Sequence, residues 1–180
     1  MTGALPRIAL VGPMGIGKTT ALRSLCGDVM ASSDVPNLDR AAHAKEFTTV
    51  GAEFGEIDLG DGEHVQVCGC PGQDRFDFIR QWLLSVSMGV FIMADVASPT
   101  AVGETLDLLA EMAEQSEPPL VLVLSARPAT PAQIEAFGQA LSASQHGVVP
   151  ILEADPRNRG QLLEAISVLA SMLSLQNETY

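Results

Sequence analysis

Lysine is almost missing from this sequence. Lys18 and Lys45 are its only two, and all basic residues together number 10 against 22 acidic ones, a formal charge of −12. A nucleic-acid surface needs a basic footprint, so no nucleic-acid partner is expected. Cysteine is sparse as well. The three present, two of them as Cys68-Gly69-Cys70, form neither an even disulfide framework nor a C-x₂-C zinc pattern. Free thiols in a reducing compartment are the expectation. No apolar run reaches the roughly 18 residues that a membrane span requires. The opening MTGALPRIALVG lacks the charged-then-apolar layout of a signal peptide, and the closing SLQNETY offers no cysteine to a lipid. A cytoplasmic protein without its own membrane anchor is therefore expected.

What is present is enough for a core. The chain is 47% apolar and 18% charged over 180 residues, which suits one folded domain spanning 1–180. Short apolar runs alternate with helical patterns. IALVG (8–12) reads as a buried strand, followed by a glycine-rich loop and a helix over 18–25. Residues 27–46 have no periodicity and read as a long surface loop of the kind that is usually functional. Two strands over 49–59 and 64–68 are joined at Gly60-Asp61-Gly62, an antiparallel hairpin signal. Strands over 89–95, 119–125 and 148–154 then alternate with helices over 76–85, 102–115, 131–142 and 159–175. Near-continuous apolar strands between helices predict a three-layer α/β fold, its sheet six-stranded and mostly parallel with one antiparallel edge strand.

The stretch Gly12-Pro13-Met14-Gly15-Ile16-Gly17-Lys18-Thr19 is a complete G-x-x-x-x-G-K-[ST] between a strand and a helix. Backbone amides of Gly12, Met14, Gly15, Ile16, Gly17, Lys18, Thr19 and Thr20 become candidates for a polyphosphate, aided by the positive end of the helix. Lys18 can reach the β- and γ-phosphates, and the Thr19 hydroxyl can bind Mg²⁺.

Two further stretches narrow the class. Thr49-Val50-Gly51-Ala52-Glu53-Phe54 is similar to the T-[IV]-G-x-[DE]-F of Rab-type proteins, and Gly72-Gln73-Asp74-Arg75-Phe76 to their G-Q-[DE]-R-F. With the phosphate loop, in this order, the chain resembles the Ras-like small GTPases over nearly its full length. The resemblance implies a P-loop NTPase fold that binds GTP and GDP with Mg²⁺. It implies that Thr49 ligates the metal and senses the γ-phosphate, that the Gly72 N–H touches that phosphate, and that Gln73 orients the attacking water. The form Gly-x-Pro-Gly-Gln resembles a prokaryotic, MglA-like branch of small GTPases associated with roadblock-fold proteins, which implies such a protein as regulator.

Three departures qualify the resemblance. The family's metal-shell aspartate falls at Gly69 here, which implies a weaker hold on Mg²⁺. The family's guanine-reading N-K-x-D is replaced by Ser125-Ala126-Arg127-Pro128, so ATP stays open beside GTP. Ser125, Arg127, Ala154 and Asp155 are the candidates for contacting the base, Asp155 alternatively being a turn residue before Pro156. No arginine stands at the spacing of a finger in cis, Arg40 and Lys45 before Thr49 being the only possibilities, so slow hydrolysis stimulated by a partner is expected. Phe78 and Trp82 are candidates for a partner surface, with packing against the next helix as the other reading of Trp82. Two functions remain: a slow GTPase switch, and a non-hydrolysing adaptor that binds GTP or ATP and acts by docking.

Overall fold

The computed structural model describes residues 5–27, 52–72 and 77–179 in full, and 34–36 and 47–49 as backbone. Its main sheet has six strands in the order β4-β5-β1-β6-β7-β8. At its centre lies β1 (Arg7–Val11), flanked in parallel by β5 (Glu63–Gly69) and β6 (Gly89–Ala94). Beyond β6 come β7 (Leu120–Ser125) and β8 (Ile151–Glu153), also parallel. On the other side β4 (Glu53–Gly60) pairs antiparallel with β5. This is the mostly parallel sheet with one antiparallel edge that the sequence predicts.

Alternation along β1 explains the layers. Ile8 and Leu10 point to one face and Ala9 and Val11 to the other, so both faces must be covered. Helices α1 (Lys18–Cys26) and α5 (Arg159–Asn177) cover the first through Leu22, Leu25, Leu162, Ile166 and Leu169. Helices α2 (Asp77–Ser85), α3 (Ala101–Ala113) and α4 (Pro131–Ser142) cover the second through Ile79, Leu83, Leu109, Met112 and Leu141. On α5 Ala165 completes the buried stripe, while Ala170 is exposed. Local signals start these helices well: Thr130 and Gln133 form a reciprocal capping box before α4, and Asn158 caps α5.

The hairpin turns where expected. Asp61 (φ 52°) and Gly62 (φ 80°) both adopt the left-handed conformation that matches strand twist in a two-residue turn. Three boundaries differ from the sequence reading. The hairpin's first strand begins at Glu53, while Thr49 ends a separate short strand, β3 (Phe47–Thr49). That strand pairs with β2 (Asp34–Pro36), which lies inside the stretch read as loop. Strand β8 is three residues rather than seven, because Pro150 brings no N–H and Val148 is 83% exposed at this outer edge. A carbonyl remains, and Pro150 accepts from the Val123 N–H at 2.9 Å.

β1 is a point where the chain leaves in opposite directions along the sheet. In an open parallel sheet, the crevice for a ligand opens beyond the carboxyl ends of such strands.

Candidate nucleotide-binding site

The loop between β1 and α1 wraps the end of β1. Gly12 (φ +151°) packs so closely on β6 that a β-carbon there would stand 2.5 Å from the Met93 carbonyl oxygen. Gly17 (φ +117°) is the N-cap of α1 in the left-handed region, and no side chain caps the helix. The first-turn amides of α1 therefore face the loop's mouth, as an anion site requires.

Lys18 lies in that mouth. Its Nζ donates to the carbonyls of Gly12 (2.6 Å) and Pro13 (2.9 Å). Burial lowers its pKa from the usual lysine range, and Cys70 and Glu53 pull the other way. A phosphate offers such a partly desolvated ammonium better acceptors than neutral carbonyls. The next residue, Thr19, donates from Oγ1 to Glu53 Oε2 at 2.7 Å. A hydroxyl beside a carboxylate is a pair of hard oxygen donors, the chemistry Mg²⁺ takes.

The segment after β5 closes over this loop. Cys70 N–H donates to Leu10 O at 2.9 Å, and a β-carbon on Gly72 would stand 3.0 Å from Met14 N and 3.1 Å from Lys18 Nζ. Gly72 is thus packed directly against Met14 and the Lys18 ammonium. Gln73 lies outside the described residues, and of Thr49 only the backbone is described. Burial raises the thiols of Cys68 and Cys70 to about 12, so neither is a nucleophile here.

Beside the phosphate loop is a cavity of about 650 Å³ lined in part by Gly15, Gly17, Ser125, Arg127, Ala154 and Asp155. All four base candidates therefore meet at one place. Their availability differs. Asp155 is clamped by Arg157, whose Nε and Nη2 reach its two carboxylate oxygens at 3.0 and 2.8 Å and hold its pKa down to about 2. The Ala154 N–H is spent on the Ser125 carbonyl at 3.1 Å. Ser125 Oγ is buried and has no hydrogen-bond partner among the described residues. Arg127 donates from the cavity wall to Ile16 O and Gly15 O, each at 2.7 Å.

Residues 7–126 match the model of the 50S ribosome-binding GTPase family, which takes in the phosphate loop, the hairpin and the segment through Gly72. The chain belongs to this GTPase family. No curated protein matches it. As a member it is a GTP-binding protein of switch type, and the family generally binds GTP and GDP with Mg²⁺. The match ends at Ala126, within the segment Ser125-Ala126-Arg127-Pro128.

Two contacts in the GTPase escape sequence reading. Arg127 sits on the phosphate loop rather than on the base alone, and Pro156 closes on the same loop from the far side. A β-carbon at Gly17 would stand 2.9 Å from Pro156 Cγ, and Ser24 Oγ donates to Pro156 O at 2.6 Å. Neither pairing has a short-range signature. The Arg127→Ala variant is expected to loosen the loop and weaken GDP binding by about threefold to tenfold. That estimate corresponds to two charge-assisted bonds discounted for exposure. A titration with fluorescent GDP checks it; unchanged affinity would mean the loop keeps its shape without the tie.

Phe78 and Trp82 are not equivalent. Phe78 is 44% exposed, whereas the half-buried Trp82 packs against the core, with the Arg7 guanidinium 5.6 Å from its ring centroid. No helix among the described residues is long and apolar enough to cross a membrane.

Proposed function

We propose that this GTPase is a switch that hydrolyses GTP slowly and waits for a partner to accelerate it. The observation that supports it best is the close approach of Gly72 to Met14 and Lys18, which sets the loop after β5 against the loop after β1 so that one γ-phosphate would touch both. A ligand that bridges two loops can order them and, once cleaved, release them. In this reading Lys18 neutralises the β- and γ-phosphates while the amides of 12–20 hold the rest. The Gly72 N–H senses the terminal group and Gln73 orients the attacking water. Thr19 and Thr49, with phosphate oxygens, would hold Mg²⁺, which when bound neutralises charge developing between the phosphates.

The slow rate follows from the arginines. Arg127 is committed to loop carbonyls, and Arg80 to Glu111 at 3.0 and 2.8 Å. Neither of these two described arginines is therefore free to act as a finger, worth roughly 10³–10⁵ in rate. We assign that role to a partner, a roadblock-fold regulator being the kind the sequence resemblance suggests, with exposed Phe78 near its docking surface. The ribosome of the family's description is not carried over, because a charge of −12 is a poor match for RNA.

A second reading draws on the base cavity. A bidentate carboxylate is the strongest part of guanine selection, and Asp155 is already clamped. A docking adaptor that accepts GTP and ATP alike fits that feature. Phosphate release from both nucleotides, for the chain and its Gln73→Leu variant, separates the two. The switch reading expects slow release from GTP that drops about 10²-fold in the variant, the usual scale for a mispositioned reactant, with binding retained. Equal background release from both proteins would remove the hydrolase and leave the adaptor.

A further inference from the structure

A cation on a nucleotide's phosphates is commonly held by the loop hydroxyl and a carboxylate from a neighbouring strand. Here the strand beside β1 ends at Gly69, which has no side chain. No group of three or more His, Cys, Asp or Glu suited to a metal occurs among the described residues. The carboxylate that Thr19 does meet belongs to Glu53, on the next strand outward.

Strand register explains how it gets there. In the antiparallel β4–β5 ladder Glu53 is paired directly with Gly69. Residues directly opposite in such a ladder project to the same face. A β-carbon at position 69 would stand 3.7 Å from Glu53 Oε2 and 3.8 Å from Glu53 Cβ. The Glu53 side chain therefore folds back across the space that a side chain on residue 69 would enter. The bond from Thr19 has the useful polarity: its proton goes to Oε2, and the hydroxyl lone pairs stay available to a cation.

We infer that Glu53 is the carboxylate of the Mg²⁺ site, delivered from β4 into the place left open by Gly69. The inference rests on the nucleotide reading above and adds a residue to it. Glycine at 69 and glutamate at 53 then form one arrangement. A carboxylate at 69 would crowd Glu53 with like charge, and the longer glutamate covers the extra distance between neighbouring strands, about 4.8 Å.

Dissociation of fluorescent N-methylanthraniloyl-GDP from the full chain, followed against MgCl₂ and in EDTA, tests this without relying on hydrolysis. Wild type should release GDP more slowly as Mg²⁺ rises. Glu53→Gln, read relative to its own rate in EDTA, should still bind GDP, showing an intact loop. It should need about tenfold to 100-fold more Mg²⁺ for half the effect, the usual range for groups supporting a metal. Adding Gly69→Asp to Glu53→Gln should bring that midpoint back toward wild type. A Glu53→Gln midpoint equal to wild type overturns the inference alone. So does a double variant no better than the single. Wild-type release indifferent to Mg²⁺ would overturn the metal reading itself, and failure of wild type to bind GDP the nucleotide reading as well.

Discussion

Lys18→Ala is expected to abolish nucleotide binding over any practical concentration range. The ammonium already points into the loop's mouth, 2.6 and 2.9 Å from the Gly12 and Pro13 carbonyls. A phosphate replaces these neutral acceptors with anionic ones. Two charge-assisted hydrogen bonds contribute about 1.5–3 kcal/mol each, so their loss costs roughly 10²–10⁴-fold in affinity. Among the described residues the nearby cations are tied elsewhere: Arg127 is held by Gly15 and Ile16, and Arg80 by Glu111. Stability should change little, because the variant removes a desolvated charge together with its two tethers. A calorimetric titration with GDP and a thermal melt check both halves. Undiminished affinity would refute the assignment of the phosphate loop.

Gly12→Ala should have the largest effect on the fold around the site. Two independent costs act at this position. Its φ of +151° is outside what an L side chain accepts easily, and the new methyl would press on the Met93 carbonyl at 2.5 Å. Backbone strain of this sort costs about 1–3 kcal/mol, and overpacking against backbone a further 1–3 kcal/mol or so. At about 2–4 °C per kcal/mol for a chain of this size, the melting temperature should fall by roughly 5–20 °C. Gly15→Ala is the control. Its φ is +82°, but no atom lies within 4 Å of the added carbon, so only the strain applies. Equal losses for the two variants would mean that the approach to β6 is not what makes Gly12 necessary.

The contrast between these glycines shows where sequence reading stops. Both belong to one recognisable loop motif, yet only the packing of β6 distinguishes them. The same holds at the base cavity. Asp155 reads as either an acceptor for a base or a turn residue, and in the fold it pairs with Arg157, two residues on. That contact is local, but a choice between ligand and neighbour depends on rotamers that the residue order does not specify. Trp82 likewise reads equally well as exposed or packed, and in the fold it lies half-buried against the core beside Arg7 of β1.

Alone, the residue order determined what is short-range. The phosphate loop needs eight consecutive residues and the conformational freedom of its glycines. The hairpin turn needs Asp61-Gly62 in the left-handed region, and α4 needs Thr130 and Gln133 three apart. Layering followed from apolar runs too continuous to leave either face of the sheet in water. Tertiary structure alone decided how distant groups complete the site: Glu53 at Thr19 across 34 positions, Arg127 at Ile16 across 111, and Pro156 against Gly17. Strand register and helix seating produce those meetings. They arise from the balance of the whole core, so no local pattern carries them.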